Sequence, residues 1–94
     1  MGYEFEWDSE KAESNARKHG VTFDEASTVF GDPLSLLMHD PDHSMEEQRY
    51  VLLGMSNRHR LLVVAFAERP PRTRIISARR ANRPEGRYYE KEQR

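Results

Sequence analysis

Residues 61–67 read LLVVAFA, seven consecutive apolar side chains with no polar alternation. A run of this length suits a strand better than a helix, and apolar residues on both of its faces place it centrally in a sheet. The rest of the chain must be arranged around it. Arg49–Met55 reads as the strand before it, with SNRHR as the intervening turn. Arg69-Pro-Pro-Arg72 reads as the turn after it, because proline cannot donate to a sheet ladder, and Thr73–Ala78 as the last strand. Leu34–Met38 supplies one more strand, followed by the polar loop HDPDHSMEEQ. Short links between these successive strands predict antiparallel neighbours.

The N-terminal third carries helix signals. Tyr3, Phe5 and Trp7 alternate with Glu4 and Glu6, the period of a half-buried strand. Asp8 or Ser9 can cap a helix running to His19, and Gly20 fits the left-handed position that ends it. Thr22-Phe-Asp-Glu25 has the form of a capping box and opens a short helix with Phe23, Ala26 and Phe30 on one face. Gly31-Asp-Pro33 stops it. Asn82 with Glu85 marks a capped start for a final helix through Tyr88 and Tyr89. The expected order is β-α-α-β-β-β-β-α, an α+β domain with an antiparallel sheet and helices packed on one face.

The 94 residues suit a single domain, 1–94, with no repeat or Gly/Ser linker to divide it. A third of the residues are charged and 36% are hydrophobic, so the core is small and a stabilising partner is plausible. The chain has no cysteine, which excludes disulfides and thiolate metal sites. MGYEFEWDSEK lacks the regions of a signal peptide, and no apolar run approaches the roughly 20 residues that span a bilayer. A cytoplasmic protein with no membrane partner is expected. Net charge is −1, but residues 1–48 hold twelve acidic against three basic side chains, and residues 49–94 twelve basic against four acidic. Such asymmetry fits a half that faces a polyanion, and equally fits neutralisation of one half by the other.

Two segments concentrate the groups able to act on phosphate. In the first helix, Ala12, Asn15, Ala16 and His19 share one face, and Lys11, Asn15 and Lys18 the next. That brings Asn15, Lys18 and His19 to the border of core and solvent. Alternatively, Asn15 and His19 bond adjacent backbone, and Lys18 complements the helix dipole. In RIISARR (74–80), alternation puts Thr73, Ile75, Ser77 and Arg79 on one side and Arg74, Ile76, Ala78 and Arg80 on the other. Arg79 and Arg80 emerge from a rigid strand end, where a guanidinium can grip two phosphate oxygens. Arg74 is expected to pair internally. His39, Asp40, Asp42 and His43 resemble metal ligands, but no second cluster completes a coordination shell, so neither metal nor cofactor is expected. Lysine, histidine and arginine suffice to cleave RNA, which carries its own nucleophile in the 2′-OH.

The motifs WD-x-x-K-x-x-x-N-x-x-KHG-V-x-F (7–23), EEQRYVLLG (46–54), LLVVAF (61–66) and RIISARRANRPEGRYYE (74–90) resemble the BrnT toxins of BrnT/BrnA type II toxin–antitoxin systems. The resemblance covers nearly the whole chain. It implies a RelE-like fold and a ribonuclease that inhibits translation by cutting RNA. It also implies neutralisation by a BrnA-type antitoxin, through which alone the toxin meets operator DNA. Carried onto this sequence, it makes Lys18 or His19 a general base, Arg49 and Arg79 phosphate clamps and Arg80 a further charge stabiliser. Asn15 and Ser77 complete the set as substrate-binding residues. Two other classes compete: a non-catalytic RNA- or ribosome-binding module, and a protein-interaction domain whose charged halves pair.

Overall fold

The apolar run becomes the middle strand of a five-stranded sheet, as its two apolar faces require. The structure is a computed structural model and describes residues 3–39 and 48–93. Its elements are β1 (Phe5–Glu6), α1 (Ser9–His19), α2 (Phe23–Thr28), a 3₁₀ turn (Val29–Gly31), β2 (Leu36–His39), β3 (Arg49–Met55), β4 (Leu61–Arg69), β5 (Arg72–Arg80) and α3 (Arg83–Lys91). The strand order is β1-β5-β4-β3-β2. Tight turns join β3 to β4 and β4 to β5, and those pairs are antiparallel, as is β2 with β3. β1 departs from the expected antiparallel sheet by lying parallel to β5. Most of the chain separates the two strands, so no hairpin dictates their direction.

The main core forms where α1 and α2 meet one face of the sheet. Leu62, Val64 and Phe66 of β4 point there, alternating as a strand requires, and meet Val21, Phe23, Ala26 and Val29. Each large side chain buried this fully contributes about 1.5–3 kcal/mol. The opposite face was expected to be bare of helices, but α3 covers one end of it. Gly86 faces Leu61, which points away from α2, and the buried Leu53 and Tyr89 belong to this second side. The Tyr89 hydroxyl donates to Asp32 Oδ2 (2.6 Å), which also accepts the Met55 N–H (2.8 Å). Gln93 reaches the Leu34 carbonyl. A helix whose inner face is mostly Gly and Tyr gives a weak apolar signal, and its side of the sheet is set by tertiary contacts.

One irregularity reorganises β5. Its register with β4 shifts at Ala65/Phe66, where Phe66 faces Ile75 but Ala65 faces Ser77, leaving Ile76 as a bulged extra residue. Ile75 and Ala78, three apart, therefore both enter the main core. Ser77 and Arg79 lie on the other side, contrary to the simple alternation that grouped them with Ile75.

The charge asymmetry is partly neutralised inside the molecule. Glu6 pairs with Arg74 (3.1 Å) and Arg69 (3.3 Å), so Arg74 is internal as expected. The Thr22–Glu25 capping box forms only by half: Thr22 Oγ1 accepts the Glu25 N–H (3.0 Å). The Glu25 carboxylate is instead buried against Arg60 and accepts from Ser56 Oγ (2.7 Å). The Arg60 guanidinium holds that carboxyl below its ordinary range, with the Ser56 bond acting in the same direction against burial.

Candidate functional site

The site is built by how α1 lies against β5. Asp8 starts the helix, its carboxylate accepting the N–H groups of Glu10 (2.8 Å) and Lys11 (3.1 Å). Gly20 ends it at φ 69°, a left-handed conformation that a side chain would oppose. Between these ends the helix runs along the outer edge of β5, because β1 pairs only with Thr73 and Arg74 there. Asn15 closes the edge further up. Its Nδ2 donates to the carbonyls of Ala78 (2.8 Å) and Val21 (3.0 Å), and its Oδ1 accepts the Ala78 N–H (3.1 Å). One amide thus imitates a neighbouring strand.

This docking leaves a groove of about 200 Å³ lined by Lys11, Ser14, Asn15, Lys18, His19, Ile76 and Ser77. Lys11, Ser14 and Lys18 share a helix face at i, i+3 and i+7, and the bulge presents Ile76 and Ser77 opposite them. Lys18, His19 and Ser77 are exposed and carry no side-chain hydrogen bond or ion pair among the described residues. No carboxylate lines the groove. Two ammonium groups, an imidazole and two hydroxyls therefore line one open space, a donor set that suits an anion better than a cation. Four expected site residues, Asn15, Lys18, His19 and Ser77, are brought together. Asn15 forms part of the wall, and both its donors are committed to backbone carbonyls.

The arginines separate. Arg79 stands two residues beyond Ser77 on the same side of β5, and its fork is occupied: Nη1 and Nη2 donate to the two carboxylate oxygens of Glu85 (2.9 and 2.8 Å). This pairing holds the Glu85 carboxyl below its ordinary range and raises Arg79 further. Arg80 is exposed at the end of β5, in register with Leu62, and is not among the residues that line the groove. Arg49 begins β3 opposite Ala67, whereas Arg79 is opposite Val63. Four residues of β4 part the two positions, roughly 13 Å at about 3.3 Å per residue.

Asp40, Asp42, His43, Glu46 and Glu47 lie outside the described residues, as does the His39 side chain. Among the described residues no group of three or more metal-type ligands occurs. Sequence reasoning did not select Lys11, Ser14 or Glu85. The seven-residue spacing of Lys11 and Lys18 was a usable signal. Nothing local tied Glu85 to Arg79, since its expected capping role is also real: Asn82 and Glu85 form a complete capping box.

A family model described as the ribonuclease toxin BrnT of type II toxin–antitoxin systems matches residues 7–85. The chain belongs to the BrnT family. The match includes both walls of the groove and ends at Glu85. Among solved structures, the Brucella abortus ribonuclease toxin BrnT, a 1.1 Å crystal structure, shares the fold. Its TM-score is 0.68 at 20% identity, covering 87% of this chain and all of that one. No curated protein sequence matches significantly. As a BrnT-family member the chain is a ribonuclease toxin by descent, with an antitoxin partner and an RNA target implied. Among the described residues no helix is long and apolar enough to cross a membrane.

Proposed function

We propose that this BrnT-family toxin cleaves RNA without a metal ion, in the groove between α1 and β5. The convergence of unengaged Lys18, His19 and Ser77 in a groove free of carboxylates supports this most directly. A metal ion would find one imidazole there and no acidic partner, a poor donor set for any divalent cation. A phosphodiester would find Lys11 and Lys18 to neutralise its oxygens and the Ser77 hydroxyl to orient one of them.

His19 is the proton-moving group in this reading, since imidazole is the side chain suited to that task near neutral pH. It removes the 2′-OH proton. The 2′-oxygen then attacks phosphorus as the bond to the 5′-oxygen breaks, the departing 5′-oxygen takes a proton from solvent, and the products are a 2′,3′-cyclic phosphate and a 5′-hydroxyl. Lys18 stabilises the charge that builds on the phosphate. Arg79 is the next cation along the strand beyond Ser77, whereas Arg49 begins β3 four β4 residues away in register. The fold is of the RelE-like kind in this proposal. The toxin acts in the cytoplasm by lowering translation, a BrnA-type antitoxin silences it, and operator DNA is met only through that antitoxin.

The test is cleavage of a defined RNA by purified protein with and without EDTA, with product ends identified. Activity that survives chelation, cyclic phosphate ends, and losses of about 100-fold or more in Lys18→Ala and His19→Ala are expected. Activity that needs an added divalent ion would overturn the metal-free mechanism. Tight RNA binding with no cleavage would favour the non-catalytic RNA-binding reading.

A further inference from the structure

Arg79 presents a puzzle within that reading. It lies on the groove side of β5, two residues and roughly 6.6 Å beyond Ser77 at about 3.3 Å per residue. Its guanidinium is a planar fork beside the groove, yet both arms are held by Glu85. A carboxylate and a phosphodiester offer this fork the same thing, two anionic oxygens in one plane. Glu85 thus occupies Arg79 in the way a substrate phosphate would.

We propose that Glu85 is a built-in competitor for Arg79, holding the fork until an RNA phosphate displaces it. This rests on the groove being the phosphodiester site. Three observations support an exchange over a permanent structural bond. The pair is accessible, with 43% of the Arg79 side chain and 28% of the Glu85 side chain exposed, and accessible ion pairs are weak. Glu85 keeps a partner when released, because its Oε1 also accepts the Asn82 N–H (2.9 Å). Arg79 keeps one as well, since Nη1 donates to the Arg80 carbonyl (3.2 Å). Neither group is left stranded. Exchange replaces one ion pair by another, and Glu85 sets how tightly RNA is held as well as which ligands succeed. A single neutral or weakly charged group cannot displace it, but a phosphate already held by Lys18 and Ser77 can.

The decisive substitution is Glu85→Gln, because glutamine retains the capping-box hydrogen bond while losing the charge that binds Arg79. Binding is measured by fluorescence anisotropy with a short single-stranded all-2′-deoxy oligonucleotide, which cannot be cut by 2′-OH attack, so affinity is read apart from catalysis. Glu85→Gln should lower Kd about two- to fivefold, the scale of an accessible ion pair. In an Arg79→Ala background the same change should give no gain, since the competitor has nothing left to guard. A gain that persists without Arg79 would reveal only long-range charge removal and would overturn the proposal. So would a Kd unchanged or raised in Glu85→Gln while its melting temperature matches the parent. Should Glu85→Gln prove less stable, the carboxyl carbon shift of Glu85 in the parent protein decides. It should move on titration with the oligonucleotide, and a shift that stays fixed at saturation sinks the exchange. Lys18→Ala serves as the control for the underlying reading. If it leaves oligonucleotide affinity unchanged, the groove is not the phosphodiester site and this inference falls with it; if affinity drops but Glu85→Gln gives no gain, only the competitor role is lost.

Discussion

Asn15→Ala separates a framework role from a substrate role at a residue where the sequence permits both. The side chain is 7% exposed and makes three hydrogen bonds, to the Val21 carbonyl and to both backbone groups of Ala78. Alanine removes all three and leaves those groups without partners in a buried strip. At about 0.5–1.5 kcal/mol net for each bond, the loss is about 2–4 kcal/mol. A domain of this size shifts by about 4–8 °C per kcal/mol, so the melting temperature should fall by roughly 8–32 °C. Thermal melts followed by far-UV circular dichroism give the stability. RNA cleavage well below the lowered midpoint, normalised to folded protein, gives the function. Cleavage per folded molecule should stay within a few-fold of the parent. An unchanged melting temperature with a hundredfold loss of cleavage would refute the reasoning and return Asn15 to the substrate.

Arg49→Ala should reduce cleavage far less than Lys18→Ala, since Arg49 stands at the other end of the sheet from Arg79; equal losses in the same assay would show that the substrate extends to both ends. Gly54→Ala should destabilise by about 1–3 kcal/mol, the usual cost of overpacking. The added methyl would lie 2.8 Å from Val29 Cγ1 and 2.9 Å from Ser35 Cβ; an unaltered urea midpoint would contradict this. Stability should fall on acidification. Arg60 holds Glu25, and Arg79 holds Glu85, below the ordinary 4.5, while burial pushes Asp32 up but bonds from Tyr89, Met55 and Leu34 bring it below its ordinary 3.8. Groups depressed in the folded state stabilise above their unfolded values and lose that contribution as pH drops through the folded ones. The melting temperature should therefore hold from pH 7 to about 5 and decline below about 4.5. A melting temperature at pH 3 equal to that at pH 7 would exclude it.

The elements were legible because each is set by local physics. The α1 limits follow from Asp8 and Gly20, and the α3 start from the Asn82–Glu85 box. The central place of β4 follows from having no polar face. What stayed hidden depends on contacts between distant segments. Nothing within FEW specifies that β1 lies parallel to β5, and nothing near Glu25 shows that its carboxylate turns from Thr22 to Arg60, 35 residues away. A charged side chain can cap its own helix or pair across the sheet. The choice depends on burial, which comes only with the assembled fold.

The site illustrates this more sharply, because one extra residue decides its composition. In regular alternation Ser77 and Arg79 would share a side with Ile75, inside the main core, and no groove would contain them. The bulge at Ile76 inverts the rest of the strand: Ala78 enters the core, while Ser77 turns toward Lys11, Ser14 and Lys18. A trace was present in the sequence. Apolar residues at 75 and 78 fit no single face of a regular strand, yet share one face if residue 76 is an insertion. The same insertion gives Asn15 its use, since the bulged β5 edge presents the Ala78 N–H and carbonyl outward with no strand beside them. Bulge, amide bracket and groove are therefore one feature. A change that regularises β5, such as deletion of Ile76, should remove the groove and the Asn15 bonds together, seen as loss of RNA cleavage together with a lowered melting temperature.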